Sequence, residues 1–345
     1  MKPLSSENEV NETLGCRWLR SLRFLLLFLT ASSCAPEVPP PVLTGVVVGY
    51  TMRTWRDPVA GGPMRAIIFF PPFRPLVQAA TKLGPYWVEA NGGGALAPGL
   101  HPMVFISHGR AGSRFAHHDL AVALARAGYI VCALEHPGDN YADQTRVGTE
   151  DVLIGRARHV SAAMDALLAE PFFAGHLDTT RIGVAGFSEG GYTGLLLVGA
   201  RPDFSRWTGY CARHPEDAEL CKRPHPELKY GKSVRDDRVR AAFVMAPLGI
   251  FFDPAQSFAS VRAPVSVTVA EKDTVLLPEE NAAPVKSGLP GMAFTEIPAA
   301  DHYVFMAPCS GSPVICADPL GVNRPLVHAD LDTAAVKFFD QALKR

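Results

Sequence analysis

The sequence predicts an α/β fold: a mostly parallel central sheet, helices on both faces, and a lid-like segment inserted at about residues 201–237. Three observations predict it. From Thr44 onward, short apolar runs alternate with longer amphipathic stretches, the pattern of strand–helix–strand units. In Arg181-Ile-Gly-Val-Ala-Gly-Phe-Ser-Glu-Gly-Gly191, an unbroken apolar run enters Gly-x-Ser-x-Gly directly, and an apolar helix pattern follows. Later strands then release an aspartate and a histidine, in that order, at the same edge.

The 345 residues are 48% hydrophobic with a formal net charge of −1, enough to bury one large core. So balanced a charge gives a nucleic-acid partner no electrostatic support. The first 34 residues read as a signal peptide. Arg17, Arg20 and Arg23 precede the apolar run Phe24-Leu-Leu-Leu-Phe-Leu29 and the small residues before Cys34. The run falls well short of the roughly 20 apolar residues that span a bilayer. Small residues before Cys34 resemble a bacterial lipoprotein box, which would make Cys34 a lipidated amino terminus and give the protein a lipid anchor to a membrane. Residues 35–43 are a proline-rich, stiff linker.

Gly45 to Thr51 and Arg65 to Phe70 are the first strands, expected to pair antiparallel at one edge. The Gly- and Pro-rich stretch around Asn91-Gly-Gly-Gly94 reads as a flexible connection. Pro102 to Ser107 is a core strand running into His108-Gly109-Arg110-Ala111-Gly112-Ser113, with a helix from about Phe115 to Ala127. A turn of small residues after this strand is where an acyl-transfer site places one oxyanion N–H, assigned to the backbone of Arg110. His108 is expected to pack under that loop. His117 and His118 are adjacent on a helix and diverge, so no shared metal is expected. Tyr129 to Leu134 is a strand, and the following Glu135-His136-Pro137-Gly138-Asp139-Asn140 is expected to line a pocket wall. Asp151 to Glu170 is one amphipathic helix, with Val152, Ile154, Val160, Ala163, Met164 and Leu167 towards the core.

Strand, Gly186-Phe187-Ser188-Glu189-Gly190 and helix together form a nucleophile elbow, a strained turn that lifts the Ser188 hydroxyl above the sheet edge. The helix start supplies a second oxyanion N–H, that of Glu189. The charged segment 201–237 is read either as a lid over this edge or as a solvated excursion. Val239 to Ala246 and Pro264 to Ala270 return to core strand; Glu271-Lys272-Asp273 follows the second. Met292 to Ile297 is the last strand, followed by Asp301-His302. Ser188 as nucleophile, Asp273 as acid and His302 as base occur in the chain order this type of site uses. Asp301 competes as the acid, but a sequence neighbour seldom reaches the ring nitrogen from the required direction. The Arg110 side chain is read either as standing at the pocket mouth and favouring acidic esters, or as a solvated arginine paired with a surface carboxylate.

Seven cysteines fit an oxidising compartment. Cys16 and Cys34 belong to the leader, and Cys132 is a buried thiol in a strand. Cys211 with Cys221 and Cys309 with Cys316 lack zinc-site spacing and read as local disulfides.

From about Val48 to the carboxyl end, the chain resembles the α/β-hydrolase superfamily, in its dienelactone-hydrolase-like and platelet-activating-factor-acetylhydrolase-like branch. The resemblance rests on Ser107-His108-Gly109, Glu135-His136-Pro137-Gly138, Gly186-Phe187-Ser188-Glu189-Gly190-Gly191, Asp273 and Asp301-His302. It implies an α/β-hydrolase fold over residues 44–345, no cofactor or metal, and a small-molecule ester substrate. Dienelactone hydrolases use a cysteine nucleophile; Ser188 here favours ordinary carboxylic esters. The implied function is a serine hydrolase working through an acyl-enzyme. The alternatives are an exported peptidase or polyester hydrolase with the same triad, or a non-catalytic binding protein on the same fold.

Overall fold

The computed structural model describes residues 46–76, 79–222, 233–309 and 314–343. The leader, Cys34 and the proline-rich linker lie outside the described residues. Among the described residues, no helix is long and apolar enough to cross a membrane.

The strands are β1 (Val48–Arg56), β2 (Pro63–Phe70), β3 (Thr81–Leu83), β4 (Tyr86–Val88), β5 (Ala90–Gly92), β6 (His101–Ser107), β7 (Ile130–Glu135), β8 (Leu177–Phe187), β9 (Val239–Met245), β10 (Val265–Ala270) and β11 (Ala293–Ile297). The helices are α1 (His118–Arg126), α2 (Glu150–Leu153), α3 (Gly155–Leu168), α4 (Glu189–Leu197), α5 (Arg206–Arg213), α6 (Ala218–Cys221), α7 (Ala282–Gly288) and α8 (Arg324–Leu343). The main sheet runs β11-β10-β9-β8-β6-β7-β2-β1-β5. Strands β6 to β11 pair in parallel, and β2 is antiparallel to both β1 and β7.

The strands from β6 to β10 are fully buried through most of their length, so their sequences run apolar without alternation. Successive residues of β8 serve opposite faces. Ile182 and Val184 join one core with α3 and α4, while Ala185 and Phe187 join the other with α1 and α8. Each large apolar side chain so buried contributes about 1.5–3 kcal/mol.

Three local expectations change. The glycine-rich connection before β6 is not wholly loop: β3 and β4 form a hairpin, and β5 pairs with β1 to become the sheet edge. The signal was the alternation of buried Tyr86, Val88 and Ala90 with Trp87 and Glu89. The helix expected over 151–170 is two, parted at Ile154, and Gly155 packs where a Cβ would sit 3.2 Å from Val59. The described part of the charged insertion contains α5 and α6, fixed by Trp207, which is buried against Phe251 with ring centroids 5.1 Å apart.

The elbow is tight in measurable terms. Ser188 has φ +57°, a left-handed conformation costly for a residue with a Cβ. A Cβ on Gly186 would lie 2.1 Å from the Gly190 carbonyl oxygen, and one on Gly190 would lie 1.9 Å from the Ser107 carbonyl oxygen. Gly190→Ala should therefore cost about 3 kcal/mol or more, because backbone rather than a mobile side chain must yield. Gly175→Ala, at φ +78° with no atom within 4 Å, should cost only about 1 kcal/mol. Urea denaturation midpoints of the two variants check the difference.

Candidate active site

Ser188 opens α4 at the carboxyl end of β8. Its hydroxyl donates to His302 Nε2 over 3.2 Å. His302 begins a 3₁₀ turn (His302–Phe305) after β11, and its Nδ1–H donates to Asp273 Oδ2 over 2.7 Å. Asp273 follows β10; its other oxygen accepts the backbone N–H groups of Val275 and Leu276 at 3.0 and 2.6 Å, which fixes the carboxylate plane. All three side chains are buried, and Phe187 packs on the imidazole with centroids 4.7 Å apart.

Asp301 does something else. Its carboxylate caps the 3₁₀ turn by accepting the His302 N–H at 2.7 Å, and it accepts the Thr274 N–H at 2.7 Å. It thereby ties the loop after β10 to the loop after β11 and leaves the imidazole to Asp273. From the far side, His328 Nε2–H donates to the Val304 carbonyl at 2.8 Å and is ion-paired with Asp119.

Ser188 and His302 open on a cavity of about 730 Å³, lined also by Arg110, Ala111, Gln144, Phe187, Glu189 and Tyr303. One wall is apolar: Leu220, Leu248, Val275, Leu276 and Leu277. Tyr210, Glu216, Asp217 and Leu220 come from the insertion, so its described part borders the cavity. Arg110 and Glu189, the expected oxyanion donors, flank Ser188. The Glu189 N–H lies in the first turn of α4, where helix amides have no acceptor within the helix.

The side chains of those two residues meet each other. Arg110 Nε–H donates to Glu189 Oε1 at 2.8 Å, and its terminal nitrogen lies 2.7 Å from the same oxygen. Arg110 is thus the carboxylate-paired arginine of the second reading, although its partner is the buried Glu189 and not a surface carboxylate. The guanidinium is neutralised by Glu189, and Glu216 and Asp217 add negative charge to the cavity wall.

Beneath lies a polar network that the sequence reading missed. Arg156, 1% exposed, donates to the His108 carbonyl at 2.6 Å, the Gly109 carbonyl at 3.3 Å and Asp139 Oδ2 at 2.6 Å. Burial acts to raise the Asp139 pKa, but Arg156 and the hydrogen bonds outweigh it and hold the group ionised. Burial raises that of Glu189, with Arg110 acting against it. A readable signal existed, since Arg156 sits on the same helical stripe as Val160, Ala163 and Leu167.

The Glu135–Asn140 loop does not line the cavity, contrary to expectation. His136, Asp139 and Asn140 turn inward, and the His136 N–H donates to His108 Nε2 at 3.1 Å. His136 also meets Ser107 Oγ at 2.8 Å and His159 at 3.2 Å, and His159 reaches Asp57 at 2.9 Å. His108 is buried under the turn, as expected. The pairings Cys211–Cys221 and Cys309–Cys316 are both formed, and Cys132 is a buried free thiol. No metal-holding cluster of histidine, cysteine or acidic residues occurs among the described residues.

Residues 75–153, which hold the β6 turn and the Glu135 loop, match the family model described as platelet-activating factor acetylhydrolase, isoform II. No curated protein matches the chain. Among solved structures, the chain is similar to a ferulic acid esterase from Streptomyces cinnamoneus, at 20% identity over 89% of this chain and 92% of that one, with a TM-score of 0.62. A dienelactone hydrolase from Anabaena variabilis aligns at 15% identity over 85% and 99%, with a TM-score of 0.49. The fold is the α/β-hydrolase fold, and the expected resemblance to the platelet-activating-factor-acetylhydrolase side of that fold is matched over residues 75–153.

Two expectations follow for measurement. Cys211–Cys221 flanks the cavity residues Tyr210 and Leu220, so replacing both cysteines by serine should raise KM on the order of fivefold with little change in kcat. Replacing Cys309 and Cys316, which close a loop seven positions beyond His302, should instead lower kcat.

The second concerns acid. Burial lowers His108 to about 3, His117 and His159 to about 4, and His118 and His136 below the ordinary 6.5. The unfolded chain binds protons at these five sites first, so stability falls as pH drops from 6.5 towards 4. Glu189, His214, His328 and Asp332 (pushed up to about 8) act in the opposite sense but are fewer, and His214 is held only by its contacts with Glu280 and Glu216. Urea midpoints at pH 7 and pH 5 should show the lower value at pH 5.

Proposed function

We propose that this protein is an exported serine hydrolase that cleaves carboxylic esters through an acyl-enzyme. One observation carries the reading: the buried, hydrogen-bonded chain Ser188–His302–Asp273, whose Ser188 and His302 line a cavity of about 730 Å³. A serine hydroxyl is a weak nucleophile at neutral pH, so a base must take its proton as it attacks. His302 Nε2 accepts that proton while Ser188 Oγ bonds to the ester carbonyl carbon. Asp273 holds the Nδ1–H tautomer and stabilises the imidazolium. The oxyanion is received by the N–H groups of Arg110 and Glu189, each worth about 3 kcal/mol. His302 returns the proton to the leaving alcohol, then activates the water that frees the acid.

The names of the matched family and of the esterase neighbour support ester cleavage. The wall from Leu220 to Leu277 supports a substrate with an apolar half. The two disulfides support an oxidising compartment, consistent with the leader and with an anchor at Cys34.

Ser188→Ala and His302→Ala should each lower kcat against a p-nitrophenyl ester by at least about 10⁴-fold with the melting temperature kept, and Asp273→Asn should approach that loss. Asp301→Asn should stay within about tenfold of wild type, because it caps rather than touches the imidazole. A fluorophosphonate probe should label Ser188. Absence of labelling would reduce the protein to a binding module, and preference for amides or polyesters in a substrate panel would redirect the reading to those polymers.

A further inference from the structure

The two oxyanion donors assigned above come from different elements, which diverge beyond the last paired residues of β6 and β8, Ser107 and Gly186. The Arg110 N–H belongs to the turn after β6; the Glu189 N–H belongs to α4. The turn is strained, since Ala111 beside Arg110 holds φ +54°. A non-glycine residue stays in that conformation only where its surroundings over-determine it.

Arg156 supplies that constraint from below. Its guanidinium holds the His108 carbonyl at 2.6 Å and, together with His108 Nδ1–H at 2.6 Å and the Gly112 N–H at 3.1 Å, the Gly109 carbonyl at 3.3 Å. A carbonyl held downwards turns the N–H of its own peptide unit upwards, because the peptide is planar and the two point oppositely. The Gly109 carbonyl shares its peptide with the Arg110 N–H. Asp139 takes Arg156 at 2.6 Å with one oxygen and the Ala111 N–H at 2.9 Å with the other. Arg156 also lies 3.6 Å from Glu189 Oε2, and Glu189 holds the Arg110 side chain at 2.8 Å. The chain of charges thus closes from the turn to the helix and back.

We infer that Arg156 and Asp139 are positioning residues that aim the Arg110 N–H at the oxyanion and hold the turn in register with the start of α4. Neither touches substrate. The inference rests on the proposed ester hydrolysis, whose transition state is where the aim of the amide counts. Arg156 acts through its planar fork, which reaches two carbonyls and a carboxylate at once; a lysine ammonium in its place keeps the charge but not that geometry.

The test compares an ester with its thionoester, in which sulfur replaces the carbonyl oxygen. Sulfur is larger and a poorer hydrogen-bond acceptor, so an aligned oxyanion site favours the oxygen substrate. Arg156→Lys and Asp139→Asn should each lower kcat for the ester about 10- to 100-fold with KM within about threefold. The ratio of ester to thionoester kcat/KM should fall at least about fivefold towards that of the uncatalysed reaction. A scaffold role alone would scale both substrates together. An unchanged ratio in folded Asp139→Asn overturns the inference even if Arg156→Lys does not fold, since the amide keeps the volume of the carboxylate. Wild-type protein that hydrolyses no ester and whose Ser188 takes no fluorophosphonate overturns the functional reading and the inference with it. Active wild type with an unchanged ratio overturns the inference alone.

Discussion

The hydrogen atom that serves as the side chain of Gly190 sets how closely α4 approaches the end of β6. With any larger group there, a carbon would stand 1.9 Å from the Ser107 carbonyl oxygen. Because α4 can come that near, its first amides face the turn after β6, and Arg110, Glu189 and Ser188 border one cavity. Gly186 makes the same allowance inside the turn, where the Gly190 carbonyl crosses it. Two residues without side chains therefore decide where the reactive one stands. The sheet supplies the rest of the geometry: β8, β10 and β11 end at the same edge, and Ser188, Asp273 and His302 leave it in order.

So close an approach brings charge into the interior. Arg156 and Asp139 are almost wholly buried, and an unpaired ion there would cost several kcal/mol. The arrangement balances two cations, Arg110 and Arg156, against two carboxyl groups, Asp139 and Glu189, with the His108 and Gly109 carbonyls also accepting from the terminal nitrogens of Arg156. Replacing such a set by apolar groups is often neutral or stabilising in other proteins, so stability alone does not account for it. Direction does, since a guanidinium specifies where each partner lies as apolar packing cannot. The histidines beside it follow a different rule. Kept neutral by burial, each ring can accept at one nitrogen and donate at the other, and His108 does so between the His136 N–H and the Gly109 carbonyl.

What the sequence made legible was whatever is encoded locally. A strand buried on both faces shows as an unbroken apolar run, so β6, β7, β9 and β10 could be placed within a residue or two, whereas β8 was legible only over its buried half and not at its polar start, Leu177. The elbow is a contiguous pattern, and Asp273 and His302 each follow a strand directly, so their convergence needed only the parallel order of the sheet. The charge network was hidden because Asp139, Arg156 and Glu189 lie on three separate elements and meet only after folding. Arg156 on an apolar stripe was its trace. The hairpin of β3 and β4 and the edge strand β5 were obscured by the glycines after Asn91, which read as flexibility although Tyr86, Val88 and Ala90 already alternated. The leader and Cys34 rest on sequence alone.

Backbone strain is concentrated where the chemistry is expected. Four residues other than glycine hold left-handed φ among the described residues: Ala111, Ser188, Ala246 and Ala299. They follow β6, β8, β9 and β11, all at the carboxyl edge of the sheet. Strain of this kind costs on the order of 1–3 kcal/mol at each position and persists only where surrounding structure leaves no alternative. Here the alternatives are removed one by one. The Ala111 N–H is held by Asp139, the Ser188 N–H by the Met245 carbonyl, the Ala246 N–H by the Thr268 carbonyl, and the Ala299 N–H by Glu271. Each of these bonds crosses to another segment of the chain, so no turn at this edge can relax without releasing a neighbour. The two apolar cores on either face of the sheet offset the cost, and the edge keeps a shape that its local sequence alone would not adopt.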